Sequence, residues 1–71
     1  MNETRKIPKG IGESYYKPVV QIFPKGNTVV YKAMKDAHYI TGINIRNILL
    51  CCENINKTAG GYKWRYANES Y

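Results

Sequence analysis

The segment from Ala37 to Tyr66, AHYITGINIRNILLCCENINKTAGGYKWRY, constrains the fold more than any other part of this chain. It opens with helical spacing, breaks at Thr41-Gly42, and resumes helical spacing from Ile45. It closes on Gly60-Gly61, after which Tyr62, Trp64 and Tyr66 alternate with Lys63 and Arg65. A helix buries every third or fourth residue, whereas a strand buries every second. The chain must therefore change from helix to strand between Cys52 and Tyr62.

The first helical stretch carries Ala33, Ala37 and Ile40 at i, i+4 and i+7, which predicts one buried face. Gly42 suits the left-handed position that closes a helix. Asn44 is a good N-cap for the next. In that second helix Ile45, Ile48, Leu49 and Cys52 share a face, and Arg46 and Asn47 lie off it in the first turn. Leu50 is less easily placed. Residues 53–61 read as a polar loop in which Gly60-Gly61 permits a backbone closed to side chains with a Cβ. The final strand then has one aromatic face and one basic face.

Upstream, Lys17 to Phe23 is a β-branched run, Pro24-Lys25-Gly26-Asn27 supplies turn residues, and Thr28 to Tyr31 reads as the returning strand. A lone hairpin is marginal in water, so it must pack against something, and the helices are what the chain offers. The expected fold class is α+β, a small β-β-α-α-β domain. Residues 1–14, with Pro8, Gly10 and Gly12, read as a flexible basic tail or linker, 15–67 as the folded module, and 68–71 as a C-terminal tail. There is no internal repeat and no low-complexity segment.

Length and charge narrow the function classes. Seventy-one residues make one domain at most. Such a chain buries about 60% of its unfolded surface and cannot easily build a deep catalytic cleft. Net charge is +6, and between Tyr15 and Tyr66 eight basic residues face only Asp36 and Glu53. That field favours a polyanionic partner. Cys51 and Cys52 are adjacent and point in different directions, so they cannot staple distant elements, and a reducing, cytoplasmic setting is expected. No apolar run approaches the roughly 20 residues of a membrane span, and no secretory h-region is visible. The cysteines lack zinc-site spacing, and His38 is the lone histidine, read as a packing or surface residue. No metal, cofactor, small-molecule substrate or membrane partner is expected.

Three parts of the chain carry a family resemblance: the hairpin VVQIFPKGNTVVY, the DAxxxTGI segment from Asp36 to Ile43, and the ending KTAGGYKWRY from Lys57 to Tyr66. In order and spacing, Lys17 to Tyr66 resembles the nuclease-associated modular DNA-binding domain of the first type, also called the intron-encoded nuclease repeat motif. That family accompanies homing endonucleases of phage and mobile introns. One departure is clear. The family has Ser or Thr opening the first helix, where this chain has Ala33. Losing such a cap costs about 1 kcal/mol.

The resemblance implies a helix-turn-helix-like pair with its second helix presented to double-stranded DNA. Recognition helices contact bases mainly through their N-terminal residues, where Arg suits guanine and Asn suits adenine. Arg46 and Asn47 are accordingly expected to read bases, with Asn44 either touching a phosphate or only capping the helix. Lys57, Thr58, Lys63 and Arg65 are expected to grip the backbone beside the helix, and Lys35 the opposite strand. Lys25 and Lys32 fit a solvated basic face better. Trp64 is expected to anchor the core, and Tyr15, Tyr16 and Tyr71 to lie at the surface. The chain has neither the His and acidic set of an HNH nuclease nor the GIY-YIG tripeptides, so a nuclease domain would have to be tethered from a longer parent. A monomer is expected. The alternative is a small phage or mobile-element module that binds another protein through its hairpin edge or aromatic strand.

Overall fold

The computed structural model describes residues 11–67. The β-branched run forms β1 (Val19–Ile22) and its return forms β2 (Thr28–Tyr31), paired antiparallel. The chain then leaves the sheet through α1 (Met34–Thr41) and α2 (Ile45–Cys52) and comes back as β3 (Lys63–Tyr66). β3 pairs antiparallel with the other side of β1, giving the order β2-β1-β3 and an α+β fold of the β-β-α-α-β kind.

The register sorts side chains into rows on two faces. Tyr31, Val19 and Tyr66 form one inner row, and Val29, Gln21 and Trp64 the next. Both helices cover this face, where Val19, Trp64 and Tyr66 are buried with Met34, Ala37, Ile45, Ile48 and Leu49. Gln21 is polar and buried, and its side-chain oxygen accepts a bond from the Tyr31 hydroxyl at 2.7 Å. The Trp64 indole N–H donates to the Ala59 carbonyl at 3.0 Å. Both polar groups are therefore satisfied inside the core. The outer rows are Val30, Val20 and Arg65, then Thr28, Ile22 and Lys63.

α2 buries the expected Ile45, Ile48, Leu49 and Cys52, and Cys51 as well. Cys51 is covered because the following loop folds back on it, bringing its thiol 3.6 Å from the Lys57 carbonyl. Burial pushes that thiol's pKa up, which makes it unreactive. Leu50 is half-buried, and its carbonyl accepts from Ile55 and Asn56 N–H at 2.8 and 3.2 Å.

Three expectations need correction. Ile40 is 70% exposed. Ala33 is buried as expected, but as the extended N-cap of α1, at φ −152°, it lies outside the helical repeat; its side chain makes no capping bond. The phase starts instead at Met34, which is buried with Ala37. Ile40, six residues on, points about 120° away. Second, the packed part reaches back past Tyr15. Ile11 is buried, and Gly12–Tyr16 forms a 3₁₀ turn where a flexible tail was expected through residue 14. Third, Tyr15 packs against the core while Tyr16 stays exposed. Residues 1–10 and 68–71, including Tyr71, lie outside the described residues.

Tyr66 ties these pieces together. Its hydroxyl donates to Glu53 Oε2 at 2.5 Å and lies 3.0 Å from Ser14 Oγ. Burial first, and then the Glu53 carboxylate, push its phenol pKa up to about 12.

Candidate nucleic-acid interface

The first turn of α2 is held from several sides. α1 ends at Gly42, whose φ of 77° lets its N–H turn back to the His38 carbonyl at 2.9 Å. Gly42, Ile43 and Asn44 then join the helices, a connection of helix-turn-helix length that contains the usual glycine. Ile43 is pinned at both backbone groups by side chains of α1. Its N–H donates to Thr41 Oγ1 at 3.1 Å, and its carbonyl accepts from His38 Nδ1 at 2.6 Å. Thr41 Oγ1 in turn donates to the Ala37 carbonyl at 2.7 Å. Accepting from His38, the carbonyl requires that Nδ1 carry the proton. Asn44 Oδ1 accepts from Arg46 N–H at 2.9 Å and Asn47 N–H at 3.4 Å. Of the two roles expected for Asn44, capping is therefore present. The cap uses the backbone donors of Arg46 and Asn47, while both residues are exposed.

A second turn packs beside the first. Gly60 has φ 63°, and a Cβ there would lie 2.5 Å from Ile43 Cδ1. Only glycine lets residues 59–62 approach the connection this closely. Ala59 and Tyr62 close that turn with paired bonds of 2.8 and 3.1 Å. Tyr62 then meets Phe23 of the β1–β2 loop, with ring centroids 4.9 Å apart. Three connections thus gather at one end of the molecule: the turn between the helices, the 59–62 turn and the hairpin loop. A groove between the last two is lined by Phe23, Pro24, Gly26, Thr58, Gly61 and Lys63.

A second groove follows the free edge of β3. Lys57, Lys63 and Arg65 line it with Asn54 and Asn56 over Trp64 and Ile22. The structure therefore brings Lys57, Lys63 and Arg65 together, and Lys63 also borders the groove that holds Thr58. Lys63 and Arg65 project from the outer face of the sheet, opposite the face that α2 covers, so they do not flank Arg46 and Asn47 directly. Lys35 stands apart in the first turn of α1, with Nζ 3.4 Å from Asp36 Oδ1. Among the described residues no carboxylate forms an ion pair with Lys57, Lys63 or Arg65; Asp36 pairs with Lys35, and Glu53 accepts from the Tyr66 hydroxyl.

Asn54 and Asn56 were not singled out by the sequence reading. Asn54 has φ 65°, a left-handed position asparagine tolerates. Nothing in the sequence marks His38 as the residue that holds Ile43. Trp64 and Tyr66 are buried, so the aromatic face of β3 is turned into the core; Val30 on the β2 edge remains 64% exposed. Among the described residues no group of His, Cys, Asp and Glu converges to hold a metal, and no helix is long and apolar enough to cross a membrane.

No family model matches the chain, and no curated protein matches it significantly. Among solved structures, the fold is similar to that of the HNH homing endonuclease I-HmuI, in a structure concerned with DNA binding and cleavage by that enzyme. The TM-score is 0.70 at 24% identity, over 78% of this chain and 32% of the endonuclease chain. The chain thus spans about a third of that protein's length, and what the likeness shows is a shared fold.

Proposed function

We propose that this chain is a non-catalytic module that binds double-stranded DNA, with the first turn of α2 entering the major groove. The observation that carries this reading is the held turn. Asn44 caps α2, His38 and Thr41 fix Ile43, and Arg46 and Asn47 are left exposed at the helix N-terminus. Side chains placed there reach base edges in helix-turn-helix docking, Arg toward guanine and Asn toward adenine. Lys57, Thr58, Lys63 and Arg65 supply phosphate contacts at the end and edge of the sheet, and Lys35 a weaker one. The fold likeness to part of a DNA-binding and DNA-cleaving enzyme supports the same partner, as does the resemblance to the nuclease-associated repeat motif. The module begins no later than Ile11, ends near Ala67, and acts as an intracellular monomer.

One such module covers few base pairs. Its own affinity is expected near the non-specific range of about 10⁻⁴ to 10⁻⁶ M. A tethered nuclease domain would raise it through effective concentration. Arg46→Ala and Asn47→Ala provide the test. Each should weaken duplex binding and flatten the preference among duplexes that differ in one base pair. Unchanged affinity and preference in both variants would remove base reading from this turn.

A further inference from the structure

The β1–β2 loop is absorbed by neither the core nor the recognition turn. Phe23 N–H donates to the Asn27 carbonyl at 2.9 Å, and Gly26 N–H donates to the Phe23 carbonyl at 2.8 Å. Gly26 takes φ 104°, a backbone that permits the tight return. The loop is therefore a defined shape carrying Lys25 at its exposed tip. Its position follows from a chain of contacts. Ile43, one residue before the α2 cap, packs on Gly60. The 59–62 turn continues to Tyr62, which packs on Phe23. The groove between loop and turn carries Thr58 and Lys63 on its far wall. These contacts link the Asn44 cap to the loop that carries Lys25, and no carboxylate occurs among residues 23–28 or 57–63.

We infer that this hairpin loop is a second DNA-contacting element, in which Lys25 grips a phosphate of the strand bordering the major groove that α2 enters. The inference rests on the DNA-binding reading above and adds a contact that the sequence had assigned to the solvated face. Thr58 and Lys63 line the groove beside this loop, and Lys25 stands exposed at the loop's tip next to it. Such an arrangement suits a phosphodiester backbone, which takes donors from Lys, Thr and backbone N–H without regard to sequence. Phosphate contacts of this kind fix the register of a recognition helix rather than specify bases.

The experiment is a salt titration of binding to a labelled mixed-sequence duplex of about 30 base pairs, roughly three helical turns. The unmodified chain is compared with Lys25→Ala, Lys32→Ala, Arg46→Ala and Asn47→Ala. Lys32 follows β2 at the end away from the loop and serves as a control for net charge. Lys25→Ala should reduce the slope of log K against log salt by about 0.9, the value for one phosphate contact, and Lys32→Ala should leave it unchanged. The loss should be the same for duplexes of different sequence. A Lys25→Ala slope equal to that of the unmodified chain, while Arg46→Ala or Asn47→Ala still weakens binding, overturns the loop contact and spares the recognition turn. Equal slope losses in Lys25→Ala and Lys32→Ala also overturn it, because they report bulk charge. An unmodified chain that shows no salt-dependent duplex binding overturns both the recognition turn and the loop.

Discussion

Replacing Gly60 by alanine should destabilise this domain strongly, and the comparison with Gly61→Ala isolates the cause. Both glycines have positive φ, 63° at Gly60 and 90° at Gly61. Alanine in such a conformation costs about 1–2 kcal/mol at either position. Gly61 lies further from the left-handed well, so its backbone cost is at least as large as that of Gly60. The surroundings differ. A Cβ at Gly61 meets nothing within 4 Å, whereas at Gly60 it would lie 2.5, 2.6 and 3.3 Å from three side-chain atoms of Ile43. Ile43 is β-branched and stiff, and His38 and Thr41 hold its backbone, so it cannot back away cheaply. Overpacking of this kind costs a further 1–3 kcal/mol or so, for a total of about 2–5 kcal/mol. Small domains have stabilities near the lower end of about 5–15 kcal/mol. Trp64, the lone tryptophan and buried, reports unfolding in urea by fluorescence. Ile43→Ala in the Gly60→Ala background should recover the steric part and leave the backbone part. A Gly60→Ala loss no larger than that of Gly61→Ala would refute the packing of the two turns.

The other predictions concern caps, a buried phenol and the thiols. Ala33 sits at an extended N-cap with no side-chain bond, so Ala33→Ser should stabilise the fold by about 1 kcal/mol, and Asn44→Ala should destabilise it by a similar amount, both read as urea midpoints. The folded pKa of Tyr66, about 12, exceeds the unfolded value of 10.0, so its contribution to stability is complete below pH 10 and fades as pH rises through 12. Ultraviolet titration should show a phenol titrating near 12 that Tyr66→Phe removes, with a stability loss of about 1–3 kcal/mol from the lost bond to Glu53. Cys51 and Cys52 are both buried, so a thiol reagent should label them at the rate of unfolding rather than at the rate of a free thiol.

Local signals accounted for much of this fold. The Ile45, Ile48, Leu49, Cys52 repeat, the Asn44 cap, the Gly42 terminus and the alternation from Tyr62 to Tyr66 each act within a few residues, and all appear where the spacing puts them. What failed was one local phase and several contacts with partners distant in sequence. Ile40 fits a helical repeat that begins at Ala33, yet Ala33 is not helical, so the phase is wrong. Ile11 and Tyr15 are drawn in by the core, and Ser14 meets a tyrosine 52 residues away. The candidate site divides in the same manner. The Asn44 cap on the first turn of α2 was legible because capping is local, whereas the hold of His38 on Ile43 was not. Alternation also showed that Lys63 and Arg65 share a face. That this face lies opposite α2, and that Gly60 brings the 59–62 turn against the connection before α2, follows only from the sheet register and the packing of Ile43.

The most direct measurement is an amide NMR titration of the labelled chain with a duplex oligonucleotide at low and high salt. DNA recognition by the first turn of α2 predicts shifts centred on Asn44 to Asn47, with the 57–65 segment following, all weakening steeply as salt rises. Absence of shifts at low salt, or shifts confined to exposed Tyr39 and Ile40 of α1 and to the β2 edge, would contradict it.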